Sequence, residues 1–107
     1  RHAFHTEYTT KTPKHGIKNS FMEQVEVNKW HIYAIEWTPE YIHWSVDGKI
    51  TGRHHKPKTG NVQNEWTFDV PFYLLLNQSI MHGVYGIKAD LDKTYETQFD
   101  WIKVYQK

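Results

Sequence analysis

The sequence predicts an all-β fold, and three observations carry that reading. Apolar and polar residues alternate with period 2 in several stretches. Turn signals such as Asp47-Gly48 separate those stretches at short intervals. No segment sustains the 3.6-residue apolar period of an amphipathic helix. Aromatic residues make up 16% of the chain, with five Trp and seven Tyr, a surplus that suits sheets or a flat ligand such as a sugar. A length of 107 residues accommodates one domain, residues 1–107, and no second core.

The elements follow in order. Ala3 to Tyr8 alternates, with Phe4, Thr6 and Tyr8 on one side and Ala3, His5 and Glu7 on the other, and reads as a strand with one polar face. Thr9 to Ser20 is basic and turn-rich, a surface loop before a strand near Phe21 to Val27. Trp30 to Trp37 is the clearest strand, ended by Thr38-Pro39 because proline cannot donate to a ladder. Tyr41 to Val46 alternates again, and Asp47-Gly48 turns the chain into Lys49 to Arg53, so residues 30–53 form a three-strand meander. Residues 54–70 read as a long connection carrying Trp66 and Phe68. Pro71 to Asn77 is a continuous apolar run, either a strand buried on both faces or a short helix, with the β-flanks and Pro71 favouring the strand. Gly83 and Gly86 punctuate an irregular stretch, and Thr97 to Tyr105 alternates as a closing strand.

Composition narrows the function classes. The 13 Lys+Arg nearly cancel the 12 Asp+Glu, leaving +1 and no field to hold nucleic acid or anionic lipid. No apolar run is long enough for a spanning helix, and no basic segment followed by an apolar core opens the chain, so neither a membrane span nor a retained signal peptide is expected. The absence of cysteine removes disulfides, thiolate nucleophiles and cysteine-ligated zinc together. The eight histidines include the pairs His2/His5 and His54/His55, but adjacent strand residues point to opposite faces and no carboxylate completes either set.

Four blocks in order resemble glycoside hydrolase family 16. They are His5-Thr-Glu-Tyr8, the run from Trp30 through Trp37 and Trp44 to Gly48, Pro71-Phe-Tyr-Leu-Leu-Leu-Asn77, and Phe99-Asp-Trp-Ile-Lys-Val-Tyr-Gln106. The resemblance implies a β-jelly-roll sandwich, here its carboxy-terminal half, in a secreted, periplasmic or cell-surface endo-hydrolase. Its substrate would be a β-linked glucan of laminarin or mixed-linkage type or a related algal galactan, cut with retention. Retention needs two carboxyl groups about 5 to 5.5 Å apart. The family carries them on one strand as Glu-x-Asp-x-Glu, with an optional inserted residue, and that motif does not occur in the 107 residues. By resemblance the catalytic strand precedes the one His5 occupies, so an upstream segment or second chain is expected to complete the fold. A half jelly roll would otherwise leave strand edges and an apolar face open. A non-catalytic carbohydrate-binding jelly-roll module is the alternative.

The resemblance also nominates residues. His5 and Glu7 would enter the cleft from the strand beside the catalytic one, the alternative being exposed strand residues. Asn77 would hydrogen-bond sugar hydroxyls, the alternative being an amide that satisfies a strand terminus. Trp66, in the long connection, is the freer ring for stacking on a pyranose, whereas Trp37 and Trp44 hold positions that look structural. Met81-His82 stands where the family usually has Gly-Gly beside the cleft, which implies either a different glucan or galactan preference with His82 near the sugar, or a member that has lost activity. Asp100 matches an aspartate that binds a structural calcium in some members. No other cofactor is implied.

Overall fold

The computed structural model describes residues 1–12, 16–60, 62–83 and 86–107, and of Glu7 and Gln63 only the backbone. Residues 13–15 of the basic loop and 84–85 of the glycine-punctuated stretch thus lie outside the described residues. The chain divides into two units, Arg1–Phe72 and Tyr73–Lys107. The described strands and helices all fall in the first, in the order β1 (His2–Ala3), α1 (Glu7–Lys11), β2 (Ser20–Phe21), β3 (Tyr33–Trp37), β4 (Tyr41–Val46), β5 (Lys49–His55) and α2 (Val62–Glu65).

Both sheets are antiparallel, one of order β1-β2 and one of order β3-β4-β5, in keeping with the all-β reading. The β4–β5 hairpin closes as the Asp47-Gly48 signal requires. Both residues take left-handed backbone, φ 50° and 80°, which matches the twist of the strands they join. Between β3 and β4, the Thr38 hydroxyl accepts the N–H groups of Glu40 (3.2 Å) and Tyr41 (3.1 Å), so a side chain satisfies the turn that Pro39 enters.

A bulge fixes which side of β5 faces inward. Gly52 pairs with Trp44 and Ile50 with Ser45, so Thr51 is the extra residue. Ile50 therefore turns outward, while Gly52 and His54 join Trp44 and Ile42 on the inner side. Phe4, Ile42, Trp44 and Trp66 form the buried cluster, with Ile17, Phe21, Val62 and Phe68 packed against it. The two-stranded sheet delivers Phe4 and Phe21 to that face, held by the Phe4 N–H on the Asn19 carbonyl (3.1 Å) and the Asn19 amide on the Phe4 carbonyl (3.1 Å).

The expected first strand is corrected. Pairing stops at Ala3, and Thr6 caps a helix instead. Its hydroxyl accepts the Thr9 N–H (3.2 Å) while the Thr9 hydroxyl accepts the Thr6 N–H (2.8 Å), a reciprocal capping arrangement that outweighs the alternation from Ala3 to Tyr8. The strand expected over 21–27 is only β2, and the connection 54–70 contains α2. Neither 71–77 nor 97–105 is a strand. A strand exists through its ladder, and no backbone hydrogen bond pairs either run with a neighbour among the described residues. The unit Tyr73–Lys107 is mostly irregular, with a few turns, among the described residues. The Asp90 N–H is bonded to the Tyr95 hydroxyl (3.0 Å), and the Gly83 N–H to the Ile87 carbonyl (2.8 Å).

Candidate functional site

In Arg1–Phe72, His5 lies between two buried residues, Phe4 and Thr6, and projects outward, exposed. Glu7 opens α1 rather than sharing a strand face with His5, and its side chain lies outside what is described. Trp66 departs from the freer role the sequence suggests, since it is 3% exposed. Its ring stacks on His54 at 5.3 Å and meets the edge of Phe68 at 5.2 Å, and its Nε1 donates to Asp69 at 2.9 Å. Lys56 pairs with the other Asp69 oxygen at 2.9 Å, and these two donors, Lys56 first, hold the carboxyl below its usual value. Trp66 thus braces the segment carrying His5 from beneath, through His54 and Phe4.

Asn77, His82 and Asp100 fall in the unit Tyr73–Lys107, and all three are exposed. His82 Nδ1 accepts the Ala89 N–H at 3.2 Å, which anchors the ring to its own loop. No hydrogen bond, ion pair or ring contact joins Asn77, His82 and Asp100 to one another among the described residues. Asp100 alone does not make a calcium site. Among the described residues no group of three His, Asp or Glu converges on one point. His54 is buried and His55 exposed, as alternation requires.

The sequence did not reveal a groove beside β1. A hollow of about 440 Å³ is lined by the apolar Val25, Ile35, Trp44 and Val46 and edged by His2, Glu23 and Tyr33. A second of about 420 Å³ shares Glu23, Val25 and Val46 and runs on to His31 and Asp47. His2 Nε2 is bonded to the Thr51 hydroxyl at 2.9 Å, and burial lowers its pKa. At the far end His31 Nδ1 meets Asp47 Oδ2 at 2.7 Å, and the Ile32 N–H donates to Asp47 Oδ1 at 2.9 Å. Asp47 holds the His31 imidazole above its usual value, and the Ile32 N–H and then His31 hold the Asp47 carboxyl below its own. An apolar floor with hydrogen-bonding edges suits the C–H face and hydroxyls of a sugar ring. The groove arises from the pairing of β1 with β2, which brings Glu23 and His2 to one side, and no periodicity encodes that contact.

No helix among the described residues is long and apolar enough to cross a membrane. The model of the family described as glycosyl hydrolases family 16 matches residues 2–103. The chain is 32% identical over 77 residues to keratan-sulfate endo-1,4-beta-galactosidase of Sphingobacterium multivorum, covering 72% of this chain and 18% of that protein. It is 34% identical over 83 residues to beta-glucanase of Rhodothermus marinus, covering 72% and 29%. It is 28% identical over 92 residues to glucan endo-1,3-beta-glucosidase A1 of Niallia circulans, covering 78% and 13%. The chain therefore spans less than a third of the length of each of these curated relatives. No solved structure gives a significant match.

Proposed function

The chain belongs to glycosyl hydrolases family 16, and from that premise we propose that it is part of an endo-acting hydrolase that cleaves a β-linked glucan of laminarin or mixed-linkage type, or a related galactan, with retention. The observation that carries this reading is the family match across residues 2–103 together with relatives named for cleaving β-glucans and a β-galactan. The chain supplies cleft wall and sugar contacts. The carboxyl pair that retention needs, about 5 to 5.5 Å apart, comes from an upstream segment or second chain, because Glu-x-Asp-x-Glu does not occur in the 107 residues.

That partner also completes the sheet. β3 lies at the edge of its sheet, and its inward row of Tyr33, Ile35 and Trp37 is exposed, which supports a neighbouring strand along that edge. His5 and Asn77 each hydrogen-bond sugar hydroxyls from their own unit, Glu7 and His82 are further sugar contacts, and Trp66 braces the wall from the core. A calcium ion at Asp100 would draw its remaining ligands from the partner. A polysaccharide substrate too large to enter a cell accords with a secreted, periplasmic or cell-surface location. The missing carboxylate motif favours one second reading, a carbohydrate-binding module that holds glycan without cutting it.

Proton NMR of the first product from laminarin, mixed-linkage glucan and a β-galactan, using the full-length protein, tests the proposal. The expected result is the β-anomer as the initial product of at least one substrate. An α-anomer removes retention, and glycan binding with no product selects the binding module. Asn77→Ala in the same protein should weaken turnover or binding with folding intact, and unchanged kinetics would take Asn77 out of the site.

A further inference from the structure

We propose that His54 is a proton-released fastener, whose protonation loosens the Phe4 and Trp66 segments from the central sheet. His54 is 9% exposed, and the bulge in β5 turns it toward the core. Its ring stacks on Phe4 at 3.8 Å with 20° between planes and on Trp66 at 5.3 Å with 30°, and meets the edge of Phe68 at 6.0 Å. Two segments remote in sequence, one before α1 and one after α2, are thus clasped through one imidazole. Its Nε2 is buried with no hydrogen-bond partner.

A neutral imidazole suits this place, since its faces pack like those of an apolar ring and an unpaired acceptor nitrogen costs less than an unpaired charge. The imidazolium would carry a second N–H into a position that offers no acceptor. The surrounding groups do not compensate. On β5 itself Arg53 and His55 flank His54 in sequence and so point to the opposite side of the sheet, and His55 disfavours a second charge. Opposite it on β4 stands the apolar Ile42, with Tyr41 and His43 on the other side. At the end of α2 the Glu65 backbone favours the charged ring, while beyond it the Asp69 carboxylate is already taken by Lys56 and Trp66. Before α1, His5 is exposed and the Thr6 hydroxyl is engaged with Thr9. Burial outweighs the Glu65 backbone, and the ring's pKa lies below the ordinary 6.5.

The sign follows from linkage. Well above pH 6.5 the ring is neutral whether the clasp is closed or open, and stability is unaffected. As pH falls below that value the opened state binds the proton first, so the opening constant rises by up to about tenfold per pH unit until the closed ring itself titrates. The neighbouring His5 would lose its fixed position in the same step.

Amide exchange in the full-length protein tests this, following the N–H groups of Phe4 and Trp66, which are bonded to the Asn19 and Val62 carbonyls, from about pH 7.5 to about pH 5. Protection factors at both amides should fall with pH in the natural protein and hold nearly level in His54→Phe, which keeps an apolar ring and cannot titrate. Equal pH slopes in the two proteins would overturn the proposal. Nitrogen and carbon NMR of the His54 ring in the natural protein decides the matter if the variant does not fold. A folded-state midpoint below 6.5 is expected, and one at or above it refutes the fastener.

Discussion

Replacing Gly52 with alanine sets two effects of opposite sign against each other, and the structure says which prevails. Gly52 lies on the inner side of β5 opposite Trp44, with ordinary negative-φ backbone. Alanine in a strand interior would by itself stabilise by roughly 0.5 to 1 kcal/mol, because glycine loses more freedom on folding. The added Cβ would, however, stand 2.7 Å from Phe21 Cγ, 2.8 Å from Cδ2 and 3.2 Å from Phe21 Cβ. These are atoms at the root of the ring, not the end of a flexible chain, so relief requires moving the β2 backbone. Phe21 has little room to move, since its ring also packs on Trp44 at 5.7 Å and β2 is paired with β1. Overpacking of this kind costs about 1 to 3 kcal/mol, so Gly52→Ala should destabilise by about 0.5 to 2 kcal/mol net. Urea unfolding of the full-length protein followed by tryptophan fluorescence reads the change as a lowered midpoint at constant slope. Phe21→Ala should abolish the penalty, so that Gly52→Ala becomes neutral or stabilising in that background. Strictly additive effects, or a stabilised Gly52→Ala single variant, would refute the close approach of Phe21 to the β5 backbone.

Two further outcomes follow from local geometry. Thr6→Ala should cost about 1 kcal/mol through the lost helix cap and Thr6→Ser should recover most of it, as read by the same urea midpoints. Asp47→Ala should strip exchange protection from the Ile32 amide, because it removes that donor's acceptor and leaves alanine in left-handed backbone. In the natural protein the protection should peak in the window between 3.8 and 6.5. The raised His31 contributes fully below 6.5 and is lost as pH rises through its higher folded value, and the depressed Asp47 contributes above 3.8 and is lost as pH falls through its lower one.

What could be read from the sequence was the part decided within a few residues. The Asp47-Gly48 turn, the stop at Pro39 and the alternation from Tyr41 to Val46 are local, and β4 has the bounds the alternation predicts. The Thr6-to-Thr9 cap was equally local, yet the alternation from Ala3 to Tyr8 masked it, because both patterns occupy the same residues. Trp66 was misplaced for a different reason. Polar residues surround it in the connection, and only the tertiary fold brings His54 and Phe68 against its faces. The bulge at Thr51, which decides that His54 faces inward, leaves no mark on hydrophobic pattern either.

The contrast between β3 and β4 explains why the remaining strands were not found. Their sequences alternate alike, yet every second residue of β4 is buried while all five of β3 are exposed. β4 has a strand on each side and Phe4 and Phe21 beneath it, whereas β3 has one neighbour. Alternation specifies which side of a strand prefers burial, and only neighbours supply the burial. Pro71 to Asn77 and Thr97 to Tyr105 have strand-like composition without a bonded neighbour, so they express none of it. Under the proposed function a further strand along β3 would cover Tyr33, Ile35 and Trp37. At about 25 cal/mol per Å² such a strand gains roughly 1 kcal/mol or more from each of these side chains, comparable to any single local interaction within residues 1–72. The same rows that leave this chain's apolar side open would then become the main force holding the cleft wall to its carboxylates.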